Sequence, residues 1–346
     1  MKKRALVVCP GRGTYNKEEL GYLSRHHQDK TEQLAFIEQY RQTVNQPSVH
    51  ELDGKDRYSF KLHTLGEHAS ALIYACAYAD FMSINQDEYE IVAITGNSMG
   101  WYIALSVAQA LSPQDSITLI DTMGSMMKNG LIGSQLIYPA VGADWKIITD
   151  KKTELFTIVE EINQRAAHAL YLSIDLGGYL VVAGNETGLS AFEQSVPNID
   201  DRFPMRLYNH GAFHTPLMSQ ISDVGKDKLT TLDFNRPLTP LIDGRGHIWT
   251  PYSTNPQQLF DYTLGHQVTE PYYFNRAIEV GLKEFSPETI IVLGPGSSLG
   301  SSVAHSLINI GWQGISNKAE FVERQKRDPF VISMGMEAQR RFASFS

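Results

Sequence analysis

Residues 94–105 read ITGNSMGWYIAL, with Ser98 held between Gly96 and Gly100. The run before them, Glu90 to Thr95, is β-rich and apolar and predicts a buried strand. The run after them, Trp101 to Ala110, is rich in alanine and carries helical periodicity. Strand, Gly-x-Ser-x-Gly and helix in succession place a serine hydroxyl on a tight turn at the carboxyl end of a parallel strand. The helix N-terminus then offers unpaired N–H groups to a developing negative charge. Ser98 is therefore a candidate nucleophile. The competing reading is a glycine turn that only packs a helix on a strand.

The sequence on either side supports a parallel α/β core. Residues 4–9 predict a first buried strand, followed by the turn Pro10-Gly11-Arg12-Gly13. Polar, His-rich sequence to about residue 60 suggests helices and exposed loops. Residues 66–83 are small and apolar at helical spacing and predict a buried helix. Ser112 is a plausible N-cap for a helix running to about Met127. From residue 134 the texture changes. The stretches QLIYPAVGA, 152–168, LYLSIDLGG, YLVVAGN, 187–196 and FPMRLYN follow the order β-α-β-β-α-β, the ferredoxin-like pattern. The chain then returns to strand–turn–helix texture in ETIIVLGPGSSLGSSVAHSL. The expectation is an α/β fold: a parallel-sheet, hydrolase-like core of residues 1–133 and 207–346, with a ferredoxin-like small domain of residues 134–206 inserted in it. Residues beyond about 314 read as a mixed polar tail without a motif.

Composition narrows the function classes. The chain has 346 residues, 42 % of them hydrophobic, and a formal charge of −8. It has no basic block and no zinc-like Cys/His spacing, which argues against a nucleic-acid partner and a structural metal. No apolar run approaches the roughly 18 residues that cross a bilayer, so no membrane partner is expected. The start MKKRALVVCPGRG is basic, but its apolar stretch is short and reads as a strand rather than a leader. Cys9 and Cys76 lie in apolar runs and read as buried free thiols, consistent with a cytoplasmic protein.

A serine nucleophile needs a base. Among the eleven histidines, His210 and His214 in NHGAFHTPLM and His266 in LGHQVTEP are candidates, beside the exposed-looking His26, His27 and His63. Spacing alone does not choose among them.

Four ordered stretches make the choice by resemblance. VVCPGRGTY is similar to the N-terminal strand and Pro-Gly-Gln-Gly-Ser-Gln loop of the malonyl-CoA:acyl-carrier-protein transacylase family. GNSMGWYIAL resembles its Gly-His-Ser-Leu-Gly-Glu elbow. GAFHTPLM resembles its Gly-Ala-Phe-His-(Ser/Thr)-Pro-x-Met. HQVTEPYYFNRAI, with IIVLGPGSSLGSSV after it, resembles its C-terminal Gln-x-x-x-Pro-Val-x-Phe/Trp and Val-Gly-Pro-Gly pair. The likeness covers about residues 4–310. It implies an acyltransferase of fatty-acid or polyketide synthesis with a Ser-His dyad: Ser98 as nucleophile and His214 as base. It further implies an oxyanion hole from the backbone N–H groups of Met99 and Arg12, and Gln267 as an active-site glutamine near the base. Acyl-CoA would acylate Ser98, and the phosphopantetheine thiol of an acyl carrier protein would accept the acyl group. No permanently bound cofactor is implied. His210 reads as structural, and Gly294-Pro295-Gly296 as a packing turn.

The departures from the family pattern are as informative. Asn97 stands where the family usually has histidine, and Trp101 where it has glutamate, which suggests a reshaped entrance. Met123 falls at the place of the arginine that pairs bidentately with the malonate carboxylate. A thioether cannot pair a carboxylate, so an uncharged acyl group is expected, fitted by the methionines at 123, 126 and 127. Against this, the family's loop glutamine is Arg12 here, a guanidinium that could clamp a carboxylate from the other wall or meet the CoA phosphates. Lys128 is a third cation. Three competing readings remain: an editing thioesterase of the same fold that strips acyl groups from carrier proteins, a silent carrier-docking subunit, and an ordinary α/β-hydrolase. The last would need an acid such as Asp175 or Asp200, both in the inserted domain.

Overall fold

The strand that leads into Ser98 lies inside a six-stranded sheet. A computed structural model describes residues 1–128 and 130–345; residues 129 and 346, both assigned above to the large domain, lie outside the described residues. The strands are Lys3–Cys9 (β1), Tyr89–Gly96 (β2), Ser134–Pro139 (β3), Leu170–Leu176 (β4), Tyr179–Gly184 (β5) and Met205–Leu207 (β6). They continue with Leu241–Ile242 (β7), Ile248–Trp249 (β8), Tyr272–Tyr273 (β9), Thr289–Val292 (β10) and Val331–Ser333 (β11).

The large sheet runs β11-β10-β1-β2-β7-β8. Every neighbouring pair is parallel except the β7–β8 hairpin. Its central strands are continuous apolar runs because helices cover both faces: the last five residues of β1 and all of β10 are buried. The helix Gly66–Ser83 is apolar on all sides and buried along most of its length. The helix Pro113–Ser125 starts where the sequence places its cap. Ser112 Oγ accepts from the Asp115 N–H at 3.0 Å, and Pro113 occupies the first turn, where its missing N–H costs nothing.

The second sheet runs β6-β3-β5-β4-β9. Its first four strands are antiparallel neighbours, with the helix Thr149–Asn163 after β3 and the helix Glu186–Ser195 after β5. The fifth strand, β9, comes from far outside residues 134–206 and joins β4 in parallel. This sheet edge is thus closed by the segment that carries Gln267 and Tyr272.

Two expectations need correction. The sequence beyond residue 314 is not a loose polar tail: β11 is the edge strand of the parallel sheet, and Phe321, Phe330 and Met334 are buried. Arg340 anchors the segment through a 2.6 Å ion pair with Asp80, which is fully buried. His27 and His63 are not exposed. His27 Nε2 lies 2.8 Å from Asp80 in the same buried cluster, and His63 is enclosed between Ser59 and the Leu52 carbonyl. Both thiols, Cys9 and Cys76, are buried and free. Among the described residues no helix is long and apolar enough to cross a membrane, and no cluster of His, Cys, Asp and Glu could hold a metal.

Candidate active site

β2 ends at Gly96, and the chain turns through Asn97, Ser98 and Met99 into the helix Gly100–Val107. Ser98 has φ +55°, a left-handed conformation that a residue with a side chain adopts only under constraint. The flanking glycines let the chain pack tightly around it. A Cβ on Gly96 would lie 2.3 Å from the Gly100 backbone, and one on Gly100 would lie 2.3 Å from the Cys9 carbonyl oxygen. Only glycines let the turn close this tightly against β1. The turn points the Ser98 hydroxyl away from the sheet.

His214 meets it there. Ser98 Oγ is 2.7 Å from His214 Nε2. His214 Nδ1 is 2.6 Å from the Gln267 backbone carbonyl. A carbonyl oxygen only accepts, so Nδ1 carries the proton and Nε2 presents its lone pair to the Ser98 O–H. His214 is buried, and burial pushes its imidazole down to about 4, against the opposing pull of the Gln267 hydrogen bond. The ring is neutral at pH 7. It too has a left-handed backbone, φ +58°, pinned by its N–H donating to the Val268 carbonyl at 3.1 Å.

Gln267 ties both halves together. Its side-chain amide donates to the Ser98 carbonyl at 3.1 Å, and its side-chain oxygen accepts from Tyr102 O–H at 3.0 Å. Tyr272 braces the site from below: its ring lies 5.4 Å from that of His214, and its hydroxyl donates to the Gly96 carbonyl at 2.6 Å. Sequence reasoning did not single out Tyr102 or Tyr272. Tyr102 had a local signal, since it stands one helical turn after Ser98.

Two cavities meet at this pair. A chamber of about 70 Å³ is walled by Met123, Met127, Phe213, Met218, Ile221 and Val268, with Ser98, His214 and Arg12 also on its surface. A wider cleft of about 690 Å³ between the two sheets reaches Ser98 from the other side, past Asn97, Arg12 and His210. Met99 and Arg12 both line the chamber, and neither backbone N–H donates to a protein acceptor among the described residues. The Arg12 guanidinium donates through Nη2 to the carbonyls of Asn209 (3.0 Å) and Thr64 (3.2 Å) and lies 5.6 Å from the Phe213 ring centre. Burial lowers it to about 10, which leaves it charged at neutral pH. Asn97 Oδ1 is buried without a partner among the described residues.

Other sequence candidates lie elsewhere. Trp101 does not shape an entrance: it is fully buried under the elbow, its indole N–H donates to Thr263 Oγ1 at 3.0 Å, and its ring packs edge-on to Tyr262. Trp101 is at a core position because the elbow helix buries all eight of its residues. His210 pairs with Gln135 at 2.8 Å, and His266 stacks on Tyr262; neither reaches Ser98. Met126 and Lys128 are not on the chamber surface, and the Lys128 ammonium is exposed, 3.7 Å from Glu67. Among the described residues no carboxylate holds His214; Asp175 binds Lys152 instead.

Fold and site together define a parallel α/β protein with a serine–imidazole pair on a strand-to-helix elbow. No family model matches the chain. It is similar to the malonyl CoA-acyl carrier protein transacylase of Bacillus subtilis, 25 % identical over 213 residues, which is 60 % of this chain and 62 % of that protein. The chain thus spans less than two thirds of that relative's length. The malonyl-CoA:acyl carrier protein transacylase of Xanthomonas oryzae pv. oryzae superposes with a TM-score of 0.76 at 15 % identity, covering 100 % of both chains. A malonyl-transacylase solved in complex with its type II polyketide acyl-carrier protein matches with a TM-score of 0.72 at 15 % identity, over 94 % of this chain and 100 % of that one. The fold is that of the malonyl-CoA:acyl carrier protein transacylases, the family its sequence motifs resemble.

Proposed function

We propose that the chain is an acyltransferase that moves an acyl group from CoA to the phosphopantetheine thiol of an acyl carrier protein through acyl-Ser98. The observation that carries this reading is the 2.7 Å contact between Ser98 Oγ and a neutral, carbonyl-anchored His214 at the junction of a small chamber and a wide cleft. In the first half-reaction His214 Nε2 takes the Ser98 proton as Oγ attacks the thioester carbonyl. The N–H groups of Met99 and Arg12 receive the oxyanion. Collapse breaks the C–S bond, and the departing sulfur takes the proton from Nε2. In the second half-reaction His214 accepts the proton of the carrier thiol, the sulfur attacks acyl-Ser98, and Ser98 Oγ leaves with that proton. The similar transacylase bound to a carrier protein supports the choice of acceptor.

The reading extends to architecture. The β3–β6 unit acts as a ferredoxin-like insertion, residues 134–206, that forms the far wall of the cleft; its strand order β6-β3-β5-β4 supports this. Met123 on the chamber surface removes carboxylate recognition from the helix Pro113–Ser125, and an uncharged acyl group follows unless another wall supplies the cation. The same loss favours a second reading, in which water replaces the thiol and the chain hydrolyses acyl carrier proteins. One experiment separates the two: intact-mass analysis after incubation with acyl-CoA and then with carrier protein. Transfer moves the acyl mass from the enzyme to the carrier. Hydrolysis releases free acid with the carrier unmodified, and a protein that never gains the acyl mass refutes both.

A further inference from the structure

The chamber next to Ser98 is lined mainly by apolar side chains. Among the described residues on its surface, Arg12 is the one with a fixed charge. Its guanidinium has no carboxylate within ion-pair distance among the described residues, and its Nε and Nη1 donate to no protein acceptor; only Nη2 is engaged, by two backbone carbonyls. Nε and Nη1 are not sealed from solvent, so an anion can reach them.

A Cβ built on Gly66 would stand 3.7 Å from Arg12 Nη1 and 2.1 Å from the Gly124 carbonyl oxygen, so Arg12 Nη1 and Gly124, the neighbour of Met123, both border Gly66. Met123 puts a thioether on the chamber surface, and Arg12 puts a cation on the same surface. The Thr64 and Asn209 carbonyls and the Phe213 ring fix the guanidinium plane, leaving the Nη1 and Nε N–H groups to donate charge-assisted hydrogen bonds to an anion.

We infer that Arg12 is the specificity residue of this site: its guanidinium binds the terminal carboxylate of a dicarboxylic acyl group attached to Ser98, so that the enzyme prefers malonyl-type over uncharged acyl groups despite Met123. The inference rests on the acyl-serine reading above. Arg12 also borders the wide cleft, so a phosphate of the CoA is the rival anion, and it predicts a different result.

The test is single-turnover acylation of Ser98, followed by intact mass, with malonyl-CoA and acetyl-CoA in parallel. Wild type should be malonylated faster than acetylated. Arg12→Gln should lower the malonyl-to-acetyl rate ratio by roughly ten- to a hundredfold, the range for losing a charge-assisted hydrogen bond. Arg12→Gln combined with Met123→Arg should restore the ratio. Because Arg12 also pins two loops, an independent variant is needed should Arg12→Gln not fold. Met123→Glu supplies the guanidinium with an internal carboxylate and should lower the same ratio at least tenfold. Wild type that is acetylated but not malonylated overturns the inference and leaves the acyl-serine reading standing. An equal loss on both thioesters in Arg12→Gln assigns the contact to CoA phosphate or loop packing and overturns it too. No acyl-enzyme with either thioester overturns both readings.

Discussion

The pH dependence of Ser98 acylation tests the site's electrostatics directly. In the proposed reaction His214 would act as a base only when neutral. Burial holds its imidazole down to about 4, against an ordinary value of 6.5. At pH 5 a group titrating at about 4 is about nine-tenths neutral, whereas one titrating at 6.5 is only about 3 % neutral. Acylation at pH 5 should therefore run at about 90 % of its rate at pH 8, and the half-maximal point should fall near 4. The same shift links to stability. The unfolded chain takes up a proton at His214 below 6.5 while the folded chain resists it until about 4. Stability is thus full above 6.5 and declines as pH falls through that window, by about 3 kcal/mol in total. The assay is rapid-quench acylation with acyl-CoA, read by intact mass across pH 4–8, with circular dichroism at each pH to confirm folding. A half-maximal point near 6.5 in folded protein would show that His214 is solvated or that another group is the base.

Four further outcomes follow from the geometry. Ser98→Ala should yield no acyl-enzyme while keeping the wild-type circular dichroism; an acyl mass persisting on this variant would place the nucleophile elsewhere. His214→Ala should slow acylation by roughly 10²–10⁴-fold, and a near-normal single-turnover rate would contradict its role. Trp101→Ala should destabilise by about 3–5 kcal/mol, because it empties a core position and orphans Thr263; a urea midpoint within error of wild type would refute the core placement. Asp80→Asn should cost about 3–5 kcal/mol, since it leaves Arg340 and His27 buried without their carboxylate; an unchanged denaturation midpoint would rule this out.

What was legible in the sequence was what is local or strongly patterned. The Ser98 elbow is encoded within a dozen residues, and the helix Gly66–Ser83 has the boundaries its spacing predicted. His214 is joined to Ser98 across 116 residues, and spacing could not choose it; only the resemblance did. Trp101 was misplaced because a helix with every residue buried has no polar face from which to read direction. β9 and β11 are two and three residues long, too short for a period-2 signal, and β11 lies in polar surroundings that hide it. His27 looked exposed because its partners, Asp80 and Arg340, are 53 and 313 residues away. The motifs suggested that Arg12 and Met123 had both departed from the family pattern. That both departures line one chamber required the structure.

In the proposed reaction the carbonyl behind His214 would stand in for a third carboxylate. An aspartate at Nδ1 would stabilise the imidazolium and raise its pKa; the Gln267 carbonyl fixes the tautomer but adds no charge, so the ring stays a weak base. A weak base suits the proposed reaction. The acceptor is a thiol with an ordinary pKa near 8.5, far easier to deprotonate than an alcohol, and a weakly basic imidazole readily returns its proton to the departing CoA sulfur. The harder proton is that of Ser98, and there the geometry compensates for basicity. Both partners are locked in left-handed backbone conformations, each costing on the order of 1–3 kcal/mol. Gln267 then binds the Ser98 carbonyl, the Tyr102 hydroxyl and the His214 ring at once. One residue thus fixes the distance between nucleophile and base, and removing its side chain would loosen the serine while leaving the histidine's own anchor, a backbone carbonyl, in place.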